Sequence, residues 1–300
     1  MNPSYAKAYL ALVIGIITVS FSAIFVRLAD APSSVTAFYR MFFSVMIMAP
    51  LFFMNYKHEL KNINKRDWFY SIIAGFFLAL HFVLWFESLR FTSVASSTVL
   101  VTLQPLFAFI GTYIFFKEKL SLWAVISGVL AVIGSFVISW GDFRISGLAL
   151  WGDILALIAC LLVTVYLLFG QDVRSRLSLI TYTFIVYAVS SVTLFLYALV
   201  SGDSFITYDR EQWMYFVLLA IFPTLLGHTM FNYALKWVST SVISVTILFE
   251  PIGASLLAYY LLNESIFSYQ VIGGIIVILG ICLFMFSNRK EHIQIESKGA

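Results

Sequence analysis

The stretch SVASSTVLVTLQPLFAFIGTYIFFKE, residues 93–118, returns in altered form as STSVISVTILFEPIGASLLAYYLLNE, residues 239–264. The two align without a gap at an offset of 146 positions. Ser93, Pro105 and Glu118 match Ser239, Pro251 and Glu264, and further on Gly128 and Gly134 match Gly274 and Gly280. Leu89, Val99, Ala108, Tyr113, Val125 and Ile126 are answered by Leu235, Val245, Ala254, Tyr259, Val271 and Ile272. In an apolar chain, matched Leu or Val carries little weight. Matched Pro, Glu and Gly in one register mark a duplicated unit.

The unit is built of membrane-spanning helices. Hydrophobic residues make up 61% of the chain and charged residues 11%, against about 25% charged in an ordinary soluble domain. The charges cluster and leave apolar runs of roughly 20 residues, the length of a helix that crosses a bilayer. Backbone in lipid must satisfy its own hydrogen bonds, so such runs read as helices. The short alternating segments of a membrane β-barrel are absent. Ten spans are predicted, at about 7–27, 33–54, 68–88, 93–116, 121–140, 148–170, 179–200, 212–235, 241–262 and 268–287. The first is too long for the apolar core of a signal peptide and lacks a small-residue cleavage site. Five spans fall in a first repeat over 7–140 and five in a second over 148–287, with a tail at 288–300. Cys160 and Cys282 lie within spans and imply no disulfide framework.

The charges orient the repeats. With the N-terminus in the cytoplasm, 13 Lys and Arg fall on the inner side and 4 on the outer side, with Arg40 inside a span. The positive-inside rule therefore places both termini and the tail in the cytoplasm. Five spans per repeat is an odd number, so the second copy enters the membrane inverted. Lys117 and Lys119 flank Glu118 on the inner side, whereas Asn263 and Ser265 flank Glu264 on the outer side. Arg90 against Lys236 departs from this pattern. The expected fold is all-α and integral to the membrane, with ten transmembrane helices as two inverted five-helix repeats.

The pattern Ser93–Pro105–Glu118–Gly128–Gly134, repeated as Ser239–Pro251–Glu264–Gly274–Gly280, resembles the drug/metabolite transporter superfamily, in particular proteins with two EamA domains. Arg40 also looks like a feature of that family, although Val186 stands in its place in the second copy. The resemblance covers about 7–287. It implies a central cavity between the repeats and, among ten-span bacterial members, exporters of amino acids and related metabolites.

Several polar residues at membrane depth are candidates for chemistry. Glu250 precedes Pro251 near the middle of the ninth span. A carboxylate there is expensive and faces a cavity or a partner. It reads as a protonatable or amine-binding group, against the plainer reading of a protonated Glu bonded between helices. Its repeat mate is Gln104. Pro105 and Pro251 each remove a backbone donor and mark a helix break. His228 and Asn232, spaced i, i+4, share a face of the eighth span, and His81 and Trp85 share one of the third. These six side chains are expected to meet in one polar cavity, with packing roles as the alternative for the histidines. Arg40 and Glu87 are expected as an ion pair, either gate or structural bridge, unless Arg40 snorkels to the outer headgroups. Thr98, Thr102, Ser244 and Thr246 are expected mainly to pack, bonding carbonyls of their own helices or a neighbouring helix, with lining of the path as the alternative. Glu118 and Glu264 should cap neighbouring helix starts, and the four matched glycines should allow close helix contacts.

These features imply a secondary transporter that moves a small metabolite, an amino acid or related compound, by alternating access as an exporter of the cell membrane. Exchange for a proton and facilitated flow both stay open in this expectation, as do a monomer and a homodimer. No catalytic residue, metal or cofactor is expected, and no nucleic acid partner. The alternative class, an intramembrane enzyme acting on a lipid-linked substrate, would call for paired acidic motifs that the chain lacks.

Overall fold

A computed structural model of the chain describes residues 3–117, 121–143, 147–280 and 283. No strand occurs among them. The helices are α1 (Tyr5–Ala29), α2 (Ser33–Asn55), α3 (Lys65–Phe91), α4 (Val94–Phe116), α5 (Leu122–Phe143), α6 (Gly147–Arg174), α7 (Leu179–Ser201), α8 (Arg210–Ala234), α9 (Thr240–Leu261) and α10 (Ser268–Gly280). Eight of them are long and apolar enough to cross a membrane, with α5 and the described part of α10 carrying shorter apolar stretches. Two five-helix repeats account for the ten helices. Glu118, Cys282 and the tail 288–300 lie outside the described residues.

The 146-residue register extends through the helix boundaries. α2, α4 and α5 begin at 33, 94 and 122, and α7, α9 and α10 at 179, 240 and 268. The repeats interlock. α3 packs along α6, and its mate α8 packs along α1 in the symmetry-related way, while α2 lies against its own mate α7. The large buried side chains Phe52, Phe82, Phe86, Tyr166, Tyr182, Tyr187 and Phe216 fill this shared interior. Much apolar surface points outward, as on Leu10, Ile17, Met54, Phe115 and Val200, which suits lipid as solvent.

Small residues set the closest approaches. A Cβ on Gly75 of α3 would lie 2.7 Å from the Val186 carbonyl oxygen of α7. α5 and α10 meet reciprocally. A Cβ on Gly134 would lie 2.6 Å from the Gly273 oxygen, and one on Gly280 would lie 2.9 Å from the Ser127 oxygen. Gly134 and Gly280 are repeat mates, and so are Ser127 and Gly273. The expectation for the other two matched glycines is corrected in part. A Cβ on Gly128 would meet the side chains of Phe109 at 3.3 Å and Leu106 at 3.7 Å, and one on Gly274 would have nothing within 4 Å, so no close backbone approach requires either glycine.

Polar contacts sort to the two ends of the bundle, as alternating helix directions demand. At the end that holds the N-terminus, Arg176 donates to both carboxylate oxygens of buried Asp67 and also pairs with Asp172. Ser178 donates to Glu59 at 2.7 Å. At the far end, Ser34 donates to Asp203, Tyr39 to the Phe205 carbonyl at 2.6 Å and Gln212 to the Asp30 carbonyl at 3.0 Å. Glu264 also lies there. Its Oε2 accepts from the Val94 backbone N–H at 3.2 Å at the start of α4, and Oε1 pairs with Arg27 at 3.4 Å.

Gly75→Leu should force α3 from α7 and lower the thermal midpoint of the detergent-purified protein by the equivalent of about 2 kcal/mol or more. Gly274→Ala should leave the midpoint unchanged. Equal midpoints for the two variants would contradict the close α3–α7 approach.

Candidate functional site

Four of the ten helices are interrupted, and the interruptions converge. α4 breaks at Thr102–Leu103 and α9 at Leu248–Phe249, again 146 positions apart. The local geometry repeats too. Leu103 N–H donates to Leu100 at 3.3 Å and Phe249 N–H donates to Thr246 at 3.2 Å, so a tighter three-residue turn replaces the α ladder at each break. The prolines explain it. Pro105 and Pro251 have no N–H to offer the carbonyls of Val101 and Ile247, and each disfavours a helical residue before it. Each then sits in the first turn of the next helical segment, where no donor is needed.

α1 breaks at Ser20–Phe21, between Pro3–Val19 and Ser22–Ala29. The Ser20 hydroxyl bonds the Ile16 carbonyl at 2.8 Å and approaches the Glu250 carbonyl at 3.5 Å, so the α1 and α9 breaks touch. α8 widens to a π-helix over Ala220–His228 around Pro223. A π-segment of this kind is rare and concentrates at functional sites.

Between these interruptions lies a cavity of ≈ 30 Å³. Its polar lining is Ser22, His81, Trp85, Gln104, His228 and Glu250, and its apolar lining includes Val101, Phe231 and Ile247. Three repeat-mate pairs face it: Val101 with Ile247, Gln104 with Glu250, and Trp85 with Phe231. The volume admits a water or two and no metabolite, so side chains must move to admit one.

Five of the predicted site residues meet here: Glu250, Gln104, His228, His81 and Trp85. His81 lies parallel to Trp85, with ring centroids 5.9 Å apart. Its Nδ1 is 2.9 Å from the Ala159 carbonyl, which can only accept, so Nδ1 carries the proton and Nε2 is left as an acceptor. The Trp85 Nε1, Gln104 Oε1 and His228 Nδ1 atoms are buried without a hydrogen-bond partner among the described residues. Nor does any described side chain donate to the Glu250 carboxylate, although that residue is only 8% exposed. Buried polar atoms are nearly always paired in proteins, so a cluster of unpaired ones marks this cavity as the candidate site.

Two expectations are corrected. Asn232 does not line the cavity. It stands one shell out, with its amide donating to the Tyr166 hydroxyl and, at 2.9 Å, to the His228 carbonyl. Arg40 and Glu87 do not pair. Arg40 is fully buried, with Nε donating to Thr224 at 2.7 Å and Nη1 to Ser22 at 2.8 Å, while its guanidinium lies 4.1 Å over the Phe82 ring. These contacts also exclude snorkelling. Glu87 instead accepts from Ser33 at 2.8 Å and faces Arg90 at 3.4 Å. Thr98, Thr102 and Thr246 bond carbonyls of their own helices, whereas the buried Ser244 hydroxyl has no partner among the described residues. Sequence reasoning missed Ser22, Tyr166 and the π-segment; Pro223 was the available signal for the last.

A second, open cavity of ≈ 450 Å³ lies toward the far end, lined by Val26, Arg27, Asp30, Phe86, Leu89 and Arg90 among others. Phe86 adjoins Trp85, and Val26 is one turn beyond Ser22, so its floor lies close to the roof of the central cavity.

Glu250→Gln should raise the thermal midpoint of the purified protein at neutral pH by the equivalent of about 1 kcal/mol, because a neutral amide is cheaper to bury than a carboxylate that no described side chain hydrogen-bonds. An unchanged or lowered midpoint would mean that the carboxylate is already satisfied.

Known proteins place this architecture. The chain is 24% identical over 304 residues to an uncharacterized transporter of Archaeoglobus fulgidus, covering 96% of this chain and 99% of that one. It is 24% identical over 296 residues to the uncharacterized transporter YxxF of Bacillus subtilis, covering 98% and 94%. The riboflavin transporter ImpX of Fusobacterium nucleatum is 24% identical over 254 residues, covering 79% and 85%. One solved crystal structure superposes with a TM-score of 0.74 at 16% identity, over 95% of this chain and 98% of its own, which establishes the shared fold. The profile of the EamA-like transporter family matches residues 6–140 and again 150–286, and the chain belongs to that family.

Proposed function

We propose that the chain is a secondary transporter that carries a small metabolite, an amino acid or related compound, out of the cell by alternating access. The observation that carries this reading is the central cavity. Interrupted helices from both repeats meet there, and the Glu250 carboxylate shares the lining with three polar atoms that have no hydrogen-bond partner among the described residues. A cavity at mid-chain depth between inverted repeats is the arrangement in which rocking of one repeat against the other exposes a single site to either side. Membership of a transporter family and the transporter names of its relatives support the same class.

The substrate class follows from the lining. Glu250 offers the only formal charge in it, so an ammonium group is the matching ligand feature. Trp85 and Gln104 add a donor and an acceptor for the polar remainder, and Val101, Phe231 and Ile247 take an apolar part. Proton coupling follows from the same carboxylate. A proton and a substrate amine compete for Glu250, so inward proton movement drives outward substrate movement.

In the bilayer, the excess of Lys and Arg around the N-terminal end assigns that end to the cytoplasm. The domain boundaries 7–140 and 148–287 then separate two inverted functional halves, with both chain ends inside. The ≈ 450 Å³ vestibule opens to the exterior in this orientation, while the Arg176–Asp67–Asp172 cluster holds the cytoplasmic end together. The site is complete within one chain, and a monomer suffices.

The test is flux in proteoliposomes against amino acids, amines, nucleosides and riboflavin, with and without an imposed pH gradient. We expect an amine-bearing compound to move, with flux enhanced by the gradient in the wild type and indifferent to it in Glu250→Gln. Movement of riboflavin alone would replace the amine reading with that of the Fusobacterium relative. Gradient-dependent flux retained in Glu250→Gln would remove that residue from the coupling.

A further inference from the structure

Arg40 is the least expected side chain in the fold: a fully buried guanidinium at membrane depth with no carboxylate in salt-bridge contact among the described residues. Its partners give it a task. Nη1 donates to the Ser22 hydroxyl, the first residue after the break in α1. Nε donates to the Thr224 hydroxyl, inside the π-segment of α8. One planar side chain therefore joins two interrupted helices, one from each repeat, that both border the central cavity.

The Thr224 contact has a local cause. Pro223 has no N–H, so it cannot donate to the carbonyl of Leu219. In the π ladder that carbonyl accepts instead from the Thr224 backbone N–H, five residues on, and the Thr224 hydroxyl also donates to it at 3.0 Å. Because the hydroxyl proton is used in this way, its oxygen is free to accept from Arg40. A relay results, from the guanidinium N–H to the threonine oxygen, and from the threonine O–H to the Leu219 carbonyl. The segment is pinned at both flanks. The Ser44 hydroxyl, one turn along α2, bonds the Arg40 carbonyl at 2.7 Å and reaches the Ala220 carbonyl at 3.4 Å. Thr229 bonds the Thr224 carbonyl at 3.2 Å and lies 3.0 Å from the Tyr187 hydroxyl of α7.

A π-helix differs from an α-helix by the register of everything that follows it. Returning Ala220–His228 to an α ladder would turn the residues beyond by a large part of a turn and carry His228 out of the cavity lining. We propose that Arg40 is a positioning residue: through Thr224 it holds α8 in the π register that presents His228 to the cavity, and through Ser22 it sets the α1 break against it. The relay has no second copy. The repeat mates of Arg40, Thr224, Pro223 and Ser22 are Val186, Leu78, Phe77 and Leu168, so only one half of the molecule carries it. Its importance for turnover rests on the transporter reading, but the register itself does not.

Hydrogen–deuterium exchange on the full-length, detergent-purified protein tests it without any substrate. In Arg40→Met and in Thr224→Val, backbone exchange across 220–228 should rise about tenfold, as expected for one lost buried hydrogen bond, while exchange in α3 stays at the wild-type level. Thr224→Val removes no charge, so it should move the ¹⁵N-histidine resonance of His228 through geometry alone, with assignment by His228→Gln. If Arg40→Met does not fold, Thr224→Val decides. A folded Thr224→Val with wild-type exchange and an unmoved His228 signal overturns the proposal, and so does exchange that rises equally in every helix. Either failure leaves the flux assay free to succeed, and failure of the flux assay leaves this register intact.

Discussion

Lipid offers no hydrogen bonds, and the rest of the structure follows from that. Wherever the α ladder fails, the released backbone groups must find partners inside the protein. The chain fails it in α1, α4, α8 and α9, and all four failures face the interior between the repeats. Among the described residues the other spans are continuous and turn apolar surface outward. Polar backbone, polar side chains and the central cavity are therefore collected in one place by the solvent around them. The site is where the fold can tolerate broken helices, and the broken helices supply much of its polarity.

Symmetry and its violation divide the labour. The paired breaks of α4 and α9, with the same three-residue turns and the same prolines, belong to the duplicated scaffold. Departures from the repeat gather around the central cavity. Gln104 becomes Glu250 in the second copy, which turns a neutral dipole into a charge. Arg40, Pro223 and Thr224 have apolar counterparts. A symmetric cavity would have no reason to prefer one direction of charge or one ligand orientation, whereas this lining carries a single carboxylate among neutral polar groups.

Much of this was legible in the sequence. Pro, Glu and Gly matched at a fixed offset gave the duplication, and apolar run length with charge distribution gave ten helices and their alternation, because both signals depend on local composition. Five residues of the site were also visible, since charged or polar groups at membrane depth are rare enough to stand out. Contacts between distant segments were not. Arg40 and Glu87 sit at comparable depth by count, yet Arg40 turns inward to Ser22 and Thr224 and Glu87 turns to Ser33. Depth along a helix can be counted from sequence, but azimuth around it cannot when nearly every face is apolar. Asn232 was misplaced for that reason, and the π-segment upstream adds a rotation that ideal i, i+4 spacing does not contain.

The contact between α5 and α10 has a consequence for how such a chain can be assembled. Gly134 meets the backbone at Gly273, while Gly280 meets the backbone at Ser127, so the same pair of positions is used twice in exchange. That is the geometry of an isologous interface, in which one patch serves as both knob and socket. Here both partners are part of one polypeptide. The information for joining the halves is written in each half, so the covalent link between them sets stoichiometry rather than fit. Two separate copies of such a unit, inserted in opposite directions, would recognise one another through the same small residues. Once fused, the halves were free to diverge at the centre while α5 and α10 kept the seam.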